Sequence, residues 1–423
     1  MAFYTLGCKL NFSETSTIGR QLSEVGYTKT DFNQKADLYV INTCSVTENA
    51  NRECRRIIRK AKKTAPYSKV IVTGCYAQLK PKEIATINGV DMVLGAKEKF
   101  NIPNLLEHKT KKKVFDSNLE QLDYHSSFSL NDRSRSFLKI QDGCNYPCTY
   151  CTIPLARGKS RCDTVENIVK NVKKITENNI KEIVLTGVNI GEFLDIKSKE
   201  NFYDLIVKLE NIKGVERYRI SSIEPNLIKD NIIEFVSNSK KFMPHFHIPM
   251  QSGSDFILSK MKRRYNTKLY RNKILAITNT IPDVCIGADV IVGFPGETEE
   301  EFEKTINFIK DLPLAYLHVF TYSERENTVA VKFNGEVNKQ KRKKRSKILR
   351  ILSEKLQRNF YHKYLGTVQT ALFEKENKNG FLFGFTDNYI KIKIPFDEKH
   401  IQQKRQVKLL SFAKNGDVLS QLT

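Results

Sequence analysis

The most restrictive feature of this chain is a repeated alternation between short apolar segments and amphipathic segments. In the first hundred residues, the apolar segments are rich in β-branched side chains and the segments between them have helical spacing. The predicted strands span residues 2–8, 37–44, 69–75 and 91–95, and the predicted helices span residues 13–25, 47–63 and 80–87. Because strands that alternate with helices form βαβ units, this part of the chain predicts a parallel sheet.

A second and longer alternation begins at residue 136. Its predicted strands span residues 137–142, 182–186, 218–222, 245–249, 288–292 and 317–322. The predicted helices between them span residues 164–177, 202–209, 227–236, 267–278 and 299–310. Six such repeats are typical of an open, partial TIM-like barrel.

The carboxyl-terminal part departs from this pattern. Residues 338–365 combine a run of cations at 341–345 with apolar residues at helical spacing, which predicts a basic amphipathic helix. Short alternating segments with turn signals follow from Gly366 and predict a small antiparallel β-barrel. The chain is thus expected to be an α/β protein in five parts. They are a first domain at 1–107, a polar linker at 108–135 that includes Lys109 and residues 111–113, a barrel at 136–335, a basic helical connector at 336–365 and the β-barrel at 366–423.

The charge balance indicates a polyanionic partner. The 423 residues include 70 Lys and Arg against 47 Asp and Glu, a formal charge of +23, and every phosphate that such a surface neutralises releases counterions. A basic proteome would give the same balance, so charge alone leaves both explanations open. No apolar run approaches the roughly 18–20 residues that span a bilayer. The first residues lack a signal-peptide pattern, so the nine cysteines are expected to be reduced thiols in a cytoplasmic protein with no membrane partner.

Three cysteines lie on one short loop directly after a predicted strand. The segment reads Gly143-Cys144-Asn-Tyr-Pro-Cys148-Thr-Tyr-Cys151. Thiolates are soft ligands that hold iron–sulfur clusters, and three of them on a four-iron cluster leave one iron open. Zinc is the competing metal, but structural zinc takes four ligands, and no suitable His or Cys follows closely. The spacing therefore predicts a metal site at Cys144, Cys148 and Cys151.

A second set of cysteines ends successive predicted strands of the first domain. Cys8, Cys44 and Cys75 close three of its four apolar segments, each beside Gly or Thr. Parallel strands end at the same edge of a sheet, which is where open α/β sheets bind ligands. Cysteines are also commonly buried in strands as small apolar residues. Three thiols at equivalent strand ends favour a shared site at this edge.

The loop of Cys144 resembles the signature of radical S-adenosylmethionine (SAM) enzymes, including the aromatic residue Tyr150 before the last cysteine. The motifs Thr5-Leu-Gly-Cys8-Lys-Leu-Asn11, Asn42-Thr-Cys44 and Thr73-Gly-Cys75-Tyr76 are similar to the first domain of the methylthiotransferases within that group. Further similar motifs are Ile153-Pro154, Arg157-Gly-Lys-Ser-Arg161, Leu185-Thr-Gly-Val-Asn-Ile-Gly191, Ser221-Ser-Ile-Glu-Pro225, His247-Ile-Pro-Met-Gln-Ser-Gly253 and Asp289-Val-Ile-Val-Gly-Phe-Pro-Gly-Glu297. The carboxyl-terminal barrel is similar to the nucleic-acid-binding TRAM module of that family.

The resemblance implies two [4Fe–4S] clusters. It assigns the radical-generating cluster to Cys144, Cys148 and Cys151, and a sulfur-carrying cluster to Cys8, Cys44 and Cys75. One SAM molecule would supply a methyl group to sulfur, and a second, cleaved reductively, would supply the radical that takes hydrogen from the substrate carbon. An electron donor such as flavodoxin or ferredoxin is implied as a partner.

The substrate is indicated by a few residues. Gly-Cys-Lys-Leu-Asn and Gly-Cys-Tyr-Ala-Gln resemble the branch that acts on C2 of N6-threonylcarbamoyladenosine at position 37 of transfer RNA, in the anticodon stem-loop. The alternatives are the branches that act on isopentenyladenosine-37 or on a ribosomal-protein aspartate, and a non-catalytic RNA-binding protein with iron–sulfur clusters. The motifs typical of those two other branches are absent from this chain.

Two sets of residues are expected to contact cofactor and RNA. By the family resemblance and their positions at strand ends, the SAM contacts are Tyr150, Thr186, Gly187, Ser221, Glu224 and Gly293. The RNA contacts are expected from two basic runs and are Arg55, Arg56, Arg59, Lys341, Arg342 and Lys343. A solvated helix face is the alternative for the basic runs, and an ordinary βα turn is the alternative at Gly187. Cys54, Cys162 and Cys285 are expected to be structural, and His247 to be a structural imidazole.

Overall fold

The buried β-branched segments at the start of the chain form a five-stranded parallel sheet, which confirms the prediction for this region. A computed structural model describes residues 1–45, 47–108, 112–130 and 134–423. The sheet order is β1–β2–β3–β4–β5. Its elements are β1 (Ala2–Thr5), α1 (Lys9–Glu24), β2 (Leu38–Thr43), α2 (Glu48–Thr64), β3 (Lys69–Gly74), α3 (Cys75–Leu79), α4 (Pro81–Ala85), β4 (Met92–Leu94), α5 (Ile102–Glu107) and β5 (Val114–Phe115). Strand β2 is buried along its whole length, as expected of a central parallel strand.

The second alternation forms the predicted partial barrel. Its elements are β6 (Ser127–Phe128), β7 (Arg135–Lys139), β8 (Gln141–Asp142), α6 (Ile153–Arg157), β9 (Arg161–Cys162), α7 (Val165–Thr176), β10 (Glu182–Thr186), α8 (Phe202–Glu210), β11 (Arg217–Ile220), α9 (Asp230–Asn238), β12 (His245–His247), α10 (Asp255–Lys260), α11 (Thr267–Thr280), β13 (Cys285–Val292), α12 (Glu299–Lys310) and β14 (Tyr316–Thr321). Strands β7, β10 and β11 pair in parallel, as do β12, β13 and β14. Single parallel bridges join the region of β11 to that of β12, so six parallel strands follow one another around an open barrel.

The carboxyl-terminal part consists of one long helix and a closed five-stranded barrel. Its elements are α13 (Lys339–His362), β15 (Val368–Lys378), β16 (Phe381–Thr386), β17 (Lys391–Pro395), β18 (Lys404–Phe412) and β19 (Val418–Leu422). The barrel differs in one respect from the antiparallel prediction, because β17 and β19 pair in parallel where the chain closes the barrel. None of the described helices is both long enough and apolar enough to cross a membrane.

The segment expected to be a linker contributes to both sheets. Within residues 108–135, β5 completes the first sheet and β6 pairs antiparallel with β7 of the barrel. The predicted charged positions 109 and 111 lie outside the described residues, as do residues 110 and 131–133. The polar composition of this stretch therefore did not reveal its two short strands, because each has only two residues.

Candidate active site

The three strand-end cysteines converge at the carboxyl edge of the first sheet. Thr5 pairs with Asn42, and Thr43 pairs with Gly74, so the residues that follow β1, β2 and β3 lie side by side. Gly7 has a φ of +101°, and a Cβ atom there would lie 2.8 Å from the Cβ of Cys44. Only glycine allows the Cys8 loop to approach Cys44 so closely. Cys75 is buried at the start of α3, whereas Cys8 is exposed at the start of α1.

The three loop cysteines are each supplied with one N–H donor. The backbone N–H of Tyr146 donates to Cys144 Sγ and that of Ile153 donates to Cys151 Sγ, both at 3.4 Å. The Arg263 guanidinium donates to Cys148 Sγ at 3.1 Å. Burial raises the pKa of the Cys144 and Cys151 thiols to about 12, and coordination to a metal would favour their deprotonated form. Donors directed at all three sulfurs fit metal-bound thiolates, whose properties such hydrogen bonds tune.

Among the described residues, the side chains of His247, Asp289 and His318 form a group of three potential metal ligands, whose ligand atoms all lie within 4.8 Å of one another. This group is separate from the two cysteine sets.

Arg263 is a site residue that the sequence analysis missed. Besides Cys148, its guanidinium contacts the Glu224 carboxylate and lies 3.4 Å from the Tyr150 hydroxyl. Its only sequence signal is a basic run of three residues, Lys262 to Arg264, which resembles an exposed surface. Because the side chain is buried and paired with Glu224, it stabilises the loop around Cys148 rather than meeting solvent.

A cavity of about 920 Å³ opens between the first domain, the barrel and the carboxyl-terminal strands. Cys8 and Cys44 line it, together with three predicted SAM contacts, Thr186, Gly187 and Ser221. The buried Ser221 hydroxyl has no hydrogen-bond partner within the described part of the chain, so it is available to a ligand. At Gly187 a Cβ atom would lie 2.7 Å from the Gln141 side chain, which explains the glycine by close packing.

The other three predicted SAM contacts do not line this cavity. Tyr150 is packed edge-on against Phe294, and Glu224 is paired with Arg263. Gly293 has a φ of +78°, and a Cβ atom there would lie 2.3 Å from Cγ of Arg342. The conformation and packing of the chain at Gly293 thus account for that glycine without a ligand.

Histidines and an acid form a hydrogen-bonded wall of the same cavity. The Tyr316 hydroxyl lies 3.0 Å from His245 and 3.3 Å from His247, and His247 lies 2.9 Å from Asp289 Oδ1. His318 reaches the same carboxylate oxygen at 3.4 Å. Although burial opposes its ionisation, the attraction of His247 and His318 holds the pKa of Asp289 below its usual range. The interpretation of His247 as purely structural was therefore incomplete, because its side chain also lines the cavity.

Three basic residues also line the cavity, namely Lys9, Arg135 and Arg219, and Lys9 directly follows Cys8. Burial among protein atoms, followed by the charges of Arg135 and Arg219, lowers the pKa of Lys9 to about 8. A negatively charged ligand group beside Lys9 would favour its protonated form.

Five of the six predicted RNA contacts are at least partly exposed. Arg59 and Lys343 are exposed, Lys341 and Arg56 are largely exposed with acidic neighbours, and Arg55 is half-buried between Glu48 and Glu83.

The prediction is wrong for Arg342. Its side chain is 2 % exposed, donates to the Val337 and Tyr322 carbonyl oxygens and pairs with Glu324 and Glu336. Arg342 and Lys343 belong to the same basic run, so the sequence did not show that they differ in exposure. In the structure, α13 turns Arg342 toward the barrel and Lys343 toward solvent.

A buried cluster of charges joins the two cysteine sets. Arg157, on α6 after the cysteine loop, donates to Glu14 at 3.0 Å, Asp142 at 2.8 Å and Asn11 at 2.6 Å. Glu14 lies on α1, which begins directly after Cys8, and also accepts from Lys99 at 2.6 Å. Burial opposes ionisation of Glu14, but the attraction of Arg157, Lys99 and Lys139 outweighs it and holds its pKa well below the usual value. The cluster therefore fixes the cysteine loop against the helix that follows Cys8.

Replacement of Arg157 by methionine should lower the free energy of unfolding by about 3 kcal/mol, because it leaves buried carboxylates with less compensation. The matched control is Arg56→Met, which removes an exposed pair with Glu53 and should change stability by less than about 1 kcal/mol. Urea unfolding of the anaerobically purified full chain measures both. Equal effects of the two substitutions would contradict the structural role of Arg157.

Comparisons with known proteins agree with this architecture. A family model described as the radical SAM superfamily matches residues 138–309, a TRAM-domain model matches residues 362–419, and one described as uncharacterized protein family UPF0004 matches residues 1–95. A solved structure of the radical SAM methyltransferase TsrM from Kitasatospora setae has a TM-score of 0.58 at 12% identity and covers 78% of this chain and 76% of its own. The fold and the matched models define a radical SAM protein with a TRAM domain.

Relatives that match this chain over nearly its whole length identify its family within the radical SAM superfamily. The threonylcarbamoyladenosine tRNA methylthiotransferase MtaB of Bacillus subtilis is 39% identical over 97% of this chain and 93% of its own length. A tRNA-2-methylthio-N(6)-dimethylallyladenosine synthase of Clostridium botulinum is 33% identical over 98% of this chain and 95% of its own. This chain belongs to the radical SAM methylthiotransferase family. Membership implies SAM and [4Fe–4S] clusters as its cofactors.

Proposed function

We propose that this chain is an enzyme that methylthiolates C2 of N6-threonylcarbamoyladenosine at position 37 of transfer RNA. The observation that carries the proposal is the presence of two cysteine sets, one at a sheet edge and one on the barrel loop. The hydrogen bond from Arg157 to Glu14 connects the elements that carry the two sets. The Bacillus subtilis relative, whose name specifies the threonylcarbamoyl substrate, is similar over almost the whole chain and supports this choice of substrate.

The two cysteine sets are assigned different roles. Cys144, Cys148 and Cys151 would hold the cluster that binds and reduces SAM, which suits the N–H donors directed at each of their sulfurs. Cys8, Cys44 and Cys75 would hold the second cluster. Bound there, the two clusters and SAM supply the electron, the radical, the sulfur and the methyl group of the reaction.

The residues around the clusters would bind and orient the reactants. Ser221 and the backbone at Gly187 are the cavity-lining candidates for SAM, and the unpartnered Ser221 hydroxyl supports this role. Modified adenine must leave its stack in the anticodon loop to reach the cavity, as in other enzymes that act on a base. Exposed cations such as Arg59 and Lys343, with the TRAM domain, would hold the RNA backbone.

The proposal extends to the cellular setting. A one-electron donor such as flavodoxin or ferredoxin would reduce the first cluster, and the enzyme would act in the cytoplasm, where its transfer RNA substrates are found.

The substrate is tested by nucleoside mass spectrometry. The anaerobically reconstituted chain is incubated with SAM, a reductant and anticodon stem-loops that carry threonylcarbamoyladenosine or isopentenyladenosine. We expect a methylthio mass increment on the first nucleoside and at least about tenfold less on the second. Product only on isopentenyladenosine would contradict the substrate. No product on either RNA together with formation of 5′-deoxyadenosine would favour the protein-modifying alternative, and absence of both would favour a non-catalytic binding protein.

A further inference from the structure

The cations that line the cavity differ in whether they have a counter-ion. Arg135 pairs with Glu374 at 2.8 Å and Glu182 at 3.5 Å. Arg219 pairs with Glu182 at 3.0 Å and also donates to the Thr386 and Asp387 carbonyl oxygens. Both guanidinium groups are therefore neutralised within the protein.

Two cavity lysines lack such a partner. Across residues 1–45, 47–108, 112–130 and 134–423, neither the Lys9 nor the Lys375 ammonium has a hydrogen bond or ion pair to a side chain or carbonyl. Lys9 projects from the first domain next to Cys8, and Lys375 from β15 of the carboxyl-terminal barrel. The Asp289 carboxylate, which also lines the cavity, is bound by His247 and His318 and does not neutralise either lysine.

We propose that the Lys9 ammonium binds the carboxylate of the N6 substituent and thereby selects an acidic side arm on adenosine. This inference rests on the proposed function and names its specificity residue. In adenine, C2 and C6 are both bonded to the ring nitrogen N1, and C6 carries the N6 substituent. The side arm therefore lies close to the atom that receives sulfur. Lys9 directly follows Cys8, one of the proposed ligands of the sulfur-carrying cluster, and is thus placed where that arm would lie.

The chemistry of the ammonium explains how the selection works. A charge-assisted hydrogen bond between an ammonium and a carboxylate is among the stronger polar contacts in proteins. An isopentenyl arm would remove water from Lys9 and offer no charge or acceptor in return, which is costly. The same position therefore favours an acidic arm and disfavours an apolar one.

The test compares substrates that differ only in the carboxylate. Stem-loops with threonylcarbamoyladenosine or with its neutral methyl ester are given to the reconstituted wild-type chain, Lys9→Met, Lys9→Arg and the control Lys375→Met. The readouts are kcat/KM for the methylthio product, the Kd of each stem-loop, 5′-deoxyadenosine formation without RNA, and iron per chain. The last two report whether a substitution beside Cys8 has damaged the cluster site.

We expect the wild-type chain to prefer the acid over the ester by about 10–100-fold in kcat/KM, the effect of one charged hydrogen bond. Lys9→Met should lose this preference, because its kcat/KM with the acid should fall while its kcat/KM with the ester stays unchanged. Lys9→Arg should keep part of the preference. Lys375→Met should keep the preference for the acid, because Lys375 lies on β15 of the carboxyl-terminal barrel and not beside Cys8.

Three results would overturn the inference. The first is the same kcat/KM with the acid and the ester in the wild-type chain. The second is an equal fall of kcat/KM with both stem-loops in Lys9→Met at normal iron content. The third is loss of the preference for the acid in Lys375→Met and not in Lys9→Met. Failure of the proposed function is distinct, because the wild-type chain would then give no methylthio product with the acid at all.

Discussion

Replacement of Cys148 by alanine should abolish the reductive formation of 5′-deoxyadenosine from SAM. Replacing a residue that only supports a metal ligand commonly lowers metal affinity or activity by about 10–100-fold. Removal of a ligand itself should therefore lower the rate of 5′-deoxyadenosine formation by more than about a hundredfold. The substitution also deprives the buried Arg263 guanidinium of its sulfur acceptor. The measurement is 5′-deoxyadenosine per chain after anaerobic reconstitution with dithionite and SAM, together with iron content, which should fall from about eight to about four atoms.

Cys162→Ala is the matched control for this prediction. Cys162 lies on β9, just beyond the same loop, is similarly half-buried, and donates to the Glu192 carbonyl oxygen at 3.7 Å instead of joining the three loop cysteines. Its substitution should leave 5′-deoxyadenosine formation and iron content within about twofold of the wild-type values, because a weak thiol contact contributes little. Normal radical chemistry in Cys148→Ala would refute the proposed ligand.

Joint replacement of Cys8, Cys44 and Cys75 by alanine should separate the two halves of the reaction. The variant should form 5′-deoxyadenosine at a rate close to that of the wild-type chain, because the loop cysteines and their donors are intact. It should give no methylthio nucleoside and should contain about four iron atoms per chain. Mass spectrometry of the transfer RNA, iron analysis and high-performance liquid chromatography of the SAM products measure the three quantities.

The control for the triple variant is Cys54→Ala in the same domain. Cys54 is a buried thiol on α2 that packs in the apolar core of the first domain, as expected of a structural cysteine. The control should keep both the methylthio product and the full iron content. Methylthio product from the triple variant would exclude a role for these cysteines in sulfur transfer. Loss of 5′-deoxyadenosine in it, with Cys148 intact, would contradict the separate roles of the two sets.

Much of the architecture could be predicted from the sequence because it follows from local periodicity. The βα repeats, the position of the Cys144 loop after the first barrel strand and the alternating strands of the last sixty residues are all short-range patterns. The convergence of Cys8, Cys44 and Cys75 was also predictable, since parallel strands in one sheet must end at a common edge. The two-residue strands β5 and β6 are too short to produce a periodic signal.

The direction and partners of individual charged side chains could not be predicted in this way. Arg342 and Lys343 are neighbours in one basic run, yet packing of α13 against the barrel buries the first and exposes the second.

The sequence by itself determined the kinds of ligand atoms and their grouping along the chain, because spacing on a loop or at strand ends is a local property. Only the tertiary structure decided which charges are neutralised. Arg157 meets Glu14 from another domain, and Arg219 meets Glu182 from a neighbouring strand, whereas Lys9 forms no ion pair with an acid in the part of the chain that the structure describes. Counter-ions come from residues far apart in the chain, so the free charge of a cavity emerges only when the domains are packed together.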